Sequence, residues 1–228
     1  MTSPAPADAP GPPSSGERPR TNAALREEAI ARMMQTAIRL IAERGASKLS
    51  LVDVGRGSGY SHSLPNYYFG SKRRLLLDAY EHIVGGAAAR FRAWTRRRIP
   101  ERIRPGLDDI RATLRSYLGV VSEDPFQSRA MHVLLAESIS SMPELLEVVR
   151  PWNQRFVGYF ERQLRLAIDQ GEVDASIDVD SMAILLAGLL RGVIAQHLAD
   201  PERVDLDRIA AAAVRLVERG LGKDVGGD

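Results

Sequence analysis

A chain of 228 residues that is 44% hydrophobic can bury a substantial core in one domain or two. It has no cysteine, which excludes disulfide scaffolds and thiolate metal sites, and His62, His82, His132 and His197 are too scattered to form a local ligand pair, so no metal is expected. The net charge of +2 divides into roughly +5 on residues 1–74 and roughly −3 on the rest, as when one end meets phosphate, although solvated arginine-rich helix faces give the same count.

In chain order, residues 1–20 hold six prolines among small residues, with no periodicity that would bury a face, and read as a disordered tail. Arg18 and Arg20 at its end either reach phosphates or belong to an inert tail. A first helix is expected over about Ala23 to Arg44, capped by Asn22. Ile30, Met33, Met34, Ala37, Ile38 and Ile41 fall on one face, and Gly45 follows the last turn. A second, short helix runs from Ser50 to Gly57, with Ser50 and Asp53 forming a weak capping box.

The stretch from Leu51 to Gly59 admits two readings. As a strand and glycine loop it opens a dinucleotide- or S-adenosylmethionine-binding unit, and the chain is a cofactor-binding enzyme. As helix, turn, helix, it turns at Gly59-Tyr60 and a third helix opens near Ser61. The nucleotide reading needs a second buried strand and an acidic residue about 20 positions on, outside any helix. Instead Ser71 to about Arg96 continues as one helical pattern containing Glu81, and no later segment reads as a parallel strand. The helical reading is therefore preferred; it implies no enzyme and no cofactor.

The fourth helix, 71–96, begins Lys72-Arg73-Arg74 and carries Leu76, Ala79, Tyr80, Ile83 and Val84 on one face. At 1.5 Å per residue it spans about 35 Å, enough to join two domains. Gly85-Gly86 is either a flex point or a site of close packing. Arg96-Arg97-Arg98 reads as a solvated terminus suited to the helix dipole.

Further helices are expected at Leu107–Val121, Pro125–Ser140, Pro143–Gln170 with a break or kink at Pro151, Val179–Leu198 and Leu206–Leu221. Val179–Leu198 is apolar almost all round, more than one buried face requires, so it should pack both inside its subunit and against a partner. Its uninterrupted apolar run, Met182 to Leu190, is too short to span a bilayer, and no signal peptide is apparent, so a cytoplasmic protein without membrane contact is expected. In the last helix the run Ala210 to Ala213 favours close helix approach.

Residues Arg26 to Lys72 carry a resemblance. The Ile-rich first helix, Ala42-Glu43-Arg44-Gly45, Ser50-Leu51-Val52-Asp53-Val54, Gly59-Tyr60-Ser61 and Tyr68-Phe69-Gly70-Ser71-Lys72 resemble the N-terminal domain of the TetR family of bacterial transcriptional regulators. Gly55 and Gly57 stand where that family usually has alanine or a charged residue, and each should cost about 0.5–1 kcal/mol of helix stability. Pro65 replaces a usual leucine or isoleucine and is tolerable only in a first turn, so the third helix should begin late or tightly.

The resemblance implies an all-α protein: a three-helix helix-turn-helix DNA-binding domain at 21–72, and a larger helical effector-binding and dimerisation domain at 73–228. On the recognition helix His62, Ser63, Leu64 and Asn66 become candidates to meet base edges, Asn66 pairing with adenine and Leu64 touching a thymine methyl. Ser61, Tyr67, Tyr68 and Lys72 match positions that commonly bind phosphate. Ser50 completes the DNA-contacting set, whereas Tyr67 or Tyr68 could instead be core, as Phe69 should be. The resemblance also implies a two-fold dimer made by the last two helices, with Leu186, Leu190, Ile194, Ala210, Ala213, Val214 and Val217 at its contact, suited to a palindromic operator.

It further implies a small-molecule pocket, for which the large or polar-tipped residues of the middle helices are candidates: Trp94, Tyr117, Met131, His132, Trp152, Phe156, Tyr159, Phe160 and Arg191. Each is either pocket wall or plain core. The functional expectation is a repressor released from its operator by an effector that tilts the fourth helix. The effector, the operator sequence, the regulated genes and the sign of regulation are not legible.

Overall fold

The structure is a computed structural model and describes residues 21–99 and 102–221; the tail expected at residues 1–20, with Arg18 and Arg20, lies outside it. The described residues form the all-α fold expected. Helix α1 (Asn22–Arg44) is capped not by Asn22 but by Thr21, whose hydroxyl accepts from the Ala24 amide at 3.2 Å. Helix α2 (Leu51–Ser58) has Ser50 as its cap, accepting from the Asp53 amide at 3.1 Å and donating to the Asp53 carboxylate. Gly59 ends it at φ +78°, a conformation open to glycine.

Helix α3 (Leu64–Phe69) begins late, as Pro65 requires: proline lacks an N–H, so it sits in the first turn, where no donor is missed. Helix α4 (Lys72–Arg98) runs unbroken through Gly85-Gly86. The close-packing reading of that pair does not hold, since Gly85 has open space where a side chain would stand and Gly86 meets only the tip of Arg90 from its own helix.

Helices α5 (Leu107–Glu123) and α6 (Pro125–Ser138) follow, joined through Asp124, which caps α6. A single 3-10 turn, Pro143–Leu145, leads into α7 (Leu146–Asp169). Helix α7 continues through Pro151 without a break, at the cost of the bond to the Glu147 carbonyl. Helices α8 (Val179–Ala199) and α9 (Leu206–Leu221) complete the chain.

Two apolar cores result. The first is centred on α1, with Met33, Ile38, Ile41, Leu75 and Leu76 fully buried, and it takes in Ala130 and Leu134 of α6 and Val148 and Val149 of α7. A division after residue 72 therefore cuts the sequence but not the core. The second core joins α5, α7, α8 and α9, with Leu114, Leu118, Phe160, Leu164 and Leu190 fully buried.

All seven residues expected at a dimer contact, Leu186, Leu190, Ile194, Ala210, Ala213, Val214 and Val217, lie inside this second core. That expectation is corrected: a side chain filling its own subunit's core has no area left for a partner. The opposite faces are the open ones, with Ile184 60%, Leu185 63% and Leu216 61% exposed. Helix α8 is, by length and mean hydropathy, able to cross a membrane, but its inner face packs on α7 and its middle carries Arg191, hydrogen-bonded to Asn153.

Candidate nucleic-acid interface and buried cavity

Helices α2 and α3 meet at a backbone contact that explains Gly55. A Cβ there would stand 2.7 Å from the Ser61 carbonyl oxygen and 3.2 Å from the His62 Cα, so only glycine lets the turn sit against α2. The Gly55 carbonyl then accepts the Tyr60 amide at 3.0 Å. Gly57 plays the same part toward α1, where a Cβ would lie 2.8 Å from a methyl of Thr36. The two glycines that weaken α2 by propensity thus set how closely that helix packs on the turn before α3 and on α1.

That packing sorts the expected DNA contacts. Ser61, His62 and Ser63 are exposed in the turn before α3, Asn66 and Tyr67 are exposed on it, and Tyr67 is 78% accessible. Leu64 and Tyr68 are half-buried against the first core, and Phe69 is buried, so Leu64 shows only part of its side chain outward. Tyr67 and Tyr68 meet edge to face, and the Arg26 guanidinium lies 5.6 Å from the Tyr68 ring centre. Ser50 is half-buried, with its hydroxyl engaged by Asp53.

Lys72 is held rather than free: its Nζ donates to the Ser47 carbonyl. From the other side, the Glu137 carboxylate on α6 accepts the amides of Ala46 at 3.1 Å and Ser47 at 2.8 Å. Arg73 pairs with Glu147 at the start of α7. The loop between α1 and α2 is thereby fastened to the second half of the chain. Glu137 carried no signal in the sequence, because its partners are backbone groups 90 positions away.

A cavity of about 220 Å³ opens between α4, α5, α6, α7 and α8. Six of the residues expected there line it: Tyr117, Met131, Trp152, Phe156, Tyr159 and Arg191. Three do not. Phe160 is fully buried in the second core, and Trp94 fills the space that a side chain on Gly119 would occupy. His132 stands behind the wall, its Nδ1 2.8 Å from the Ser128 carbonyl and its Nε2 buried without a partner among the described residues.

Residues missed in the sequence complete the wall, among them Tyr80, Arg90, Asp124, Gln127, Ser128 and Arg155. On α4 the signal was present, since Tyr80, Ile83, Val84, Ala87 and Phe91 continue a three-and-four spacing past Gly85-Gly86. The Tyr117 and Phe156 rings stack with centres 5.2 Å apart. Burial pushes the Tyr117 hydroxyl up to about 12, partly offset by the Arg191 guanidinium, and burial likewise raises Tyr80 and Tyr159. These phenols stay neutral hydrogen-bonding groups at physiological pH. The Tyr159 hydroxyl is committed to Thr113, 2.5 Å away, and the Asp109 carbonyl.

Comparison with known proteins agrees with both halves. Residues 34–79 match the bacterial regulatory proteins of the tetR family, and residues 106–222 match the C-terminal domain of BetI-type transcriptional repressors. Among curated proteins no sequence matches. The fold aligns with a transcriptional regulator from Saccharomonospora viridis in complex with choline at TM-score 0.72 and 22% identity, over 86% of this chain and 99% of that one. FadR from Bacillus subtilis in complex with stearoyl-CoA aligns at TM-score 0.71 and 16% identity, over 84% and 99% of the two chains. SmeT, the repressor of a Stenotrophomonas maltophilia multidrug efflux pump, aligns in its triclosan complex at TM-score 0.71 and 21% identity, over 87% and 93%. With a helix-turn-helix braced by glycine contacts at one end, a walled cavity at the other, and family matches over each, the chain belongs to the TetR family of bacterial transcriptional regulators.

Proposed function

We propose that the protein is a homodimeric repressor that leaves a palindromic operator when a small molecule fills the cavity. The observation that carries this reading is shared structure: α4 and α6 supply cavity wall and also hold the DNA-binding end. Gln127, Ser128 and Met131 line the cavity from α6, and Glu137 at the far end of that helix grips the loop between α1 and α2. Helix α4 carries Tyr80 and Phe91 at the cavity and Lys72 at the loop. A ligand that moves either helix changes the spacing of two recognition helices, and reversing a 99:1 population takes about 5.5 kcal/mol of preference between conformers. The relatives solved with choline, stearoyl-CoA or triclosan support a small-molecule trigger.

In this reading the outer faces of α8 and α9, with Ile184, Leu185 and Leu216, form the two-fold contact. His62, Ser63 and Asn66 meet base edges, with Leu64 at the margin, while Ser61, Tyr67 and Lys72 meet phosphate. Tyr68 and Ser50 support them. Footprinting on the DNA flanking the protein's own gene tests the assignment by revealing operator and half-site spacing. Asn66→Ala should relax sequence preference, whereas Lys72→Ala should weaken all sequences and lower the salt slope by about 1. Equal losses on specific and random DNA for Asn66→Ala would refute its role.

A further inference from the structure

The geometry points to a small organic anion, an aromatic carboxylate or its like, as the class of molecule that the cavity takes. This rests on the reading of the cavity as the effector site. Three guanidinium groups line it, Arg90, Arg155 and Arg191, against one carboxylate, Asp124. That carboxylate is already in use, accepting the Gln127 amide at the start of α6.

Two of the six aromatic rings in the wall already carry a cation of the protein's own. Arg191 lies over the Phe156 ring at 5.2 Å and Arg155 over Trp152 at 4.7 Å, so a quaternary ammonium stacked on either ring would displace one of these guanidinium groups. A second cation would meet repulsion from both.

Arg90 adds a donor in need of an acceptor. Its Nη2 donates to the Ile83 carbonyl at 2.7 Å, while its Nε is buried with no partner among the described residues. The missing side chain of Gly86 makes this posture possible, because a Cβ there would stand 2.6 Å from the Arg90 guanidinium. Burial acts against the Arg90 charge, and Asp124 offsets this only in part. An incoming anion would relieve it. Apart from Gln127 and Ser128 the remaining wall is apolar and aromatic, and the volume of about 220 Å³ falls below the usual range for drug-sized ligands, which favours one or two rings over a long acyl chain.

The test uses two matched sets of probes on the full-length protein: benzoate, benzyl alcohol and benzyltrimethylammonium, and the three naphthyl equivalents. Calorimetry should find the carboxylate at least about tenfold tighter than its neutral partner in one set or both, with the ammonium weakest. Arg90→Gln and Arg191→Gln should each reduce the ratio of carboxylate to alcohol affinity, a readout that general loosening of the fold would not move. A carboxylate no tighter than the alcohol in both sets, or an ammonium tighter than either, overturns the assignment, as does failure of every probe to bind. Operator affinity measured alongside separates the two readings. A carboxylate that binds without releasing DNA sinks the repressor reading and leaves the ligand class standing; an ammonium that binds and releases DNA does the reverse.

Discussion

The two cores of this molecule are finished to different degrees. The first, around α1, is closed by its own chain: helices α1, α4, α6 and α7 meet over side chains with almost no exposure, and the glycines of α2 bring the recognition turn into contact. The second buries one face each of α8 and α9 and leaves Ile184, Leu185 and Leu216 outside, although α8 is the most apolar helix of the chain. The end that carries the recognition helix is thus closed within one chain, whereas the other end leaves open the apolar face that the proposed dimer would cover.

The largest expected effect comes from attacking the unfinished side. Ile184→Asp with Leu185→Asp places charges on an exposed face, so circular dichroism should show the helices intact. Sedimentation should show a particle of subunit mass, and operator affinity should fall by more than about a hundredfold, because charges buried at a contact are not tolerated. A dimer that survives would remove α8 from the interface.

Attacks on the finished side should appear as lost stability instead. Leu134→Ala, on α6 but inside the first core with 0% exposure, should cost about 2–5 kcal/mol in chemical denaturation. Gly55→Ala should cost about 1–3 kcal/mol despite alanine's better helix propensity, since its new Cβ meets the Ser61 backbone. The same change at Gly85, where nothing lies within 4 Å, should stabilise by about 0.5–1 kcal/mol. Glu137→Gln keeps the shape of the clamp on Ala46 and Ser47 but not its charge. It should lower operator affinity without ligand about fivefold, equivalent to about 1 kcal/mol.

The smallest effect is one of pH. Burial holds the His132 imidazole below its ordinary value of about 6.5, so the unfolded chain takes up a proton that the folded one resists. The stability tied to this neutral ring is whole above that value and drains away as pH falls through the histidine range. Urea midpoints at pH 7 and pH 5.5 should differ less in His132→Leu than in the natural protein.

Much of this was legible in the residues. The helix-turn-helix, the late start of α3 at Pro65 and the cap at Ser50 all followed from local chemistry, which acts within a few positions. What failed depends on contacts between distant segments. Propensity marks Gly55 as a weakness, and only the approach of Ser61 shows why it is there. On α8, a helix apolar all round does not say which stripe faces its own core, and Leu186, Leu190 and Ile194, expected at a partner, lie inside that core instead. In the cavity Tyr117, Trp152, Phe156 and Tyr159 were found by their size, whereas Tyr80 was missed, and Arg90, Asp124 and Arg155 looked like ordinary surface charges until the fold turned them toward one space.

Leu134, Leu145 and Val149 fill the core that supports the reading head, so the head cannot be lifted out as a module. A chimera spliced just past Lys72 would leave α1 with half its neighbours and the loop at Ser47 without its anchor. Exchange of specificity between relatives should succeed by grafting α2 and α3 alone, or by moving the junction beyond Val149, and fail at the seam that the order of motifs suggests.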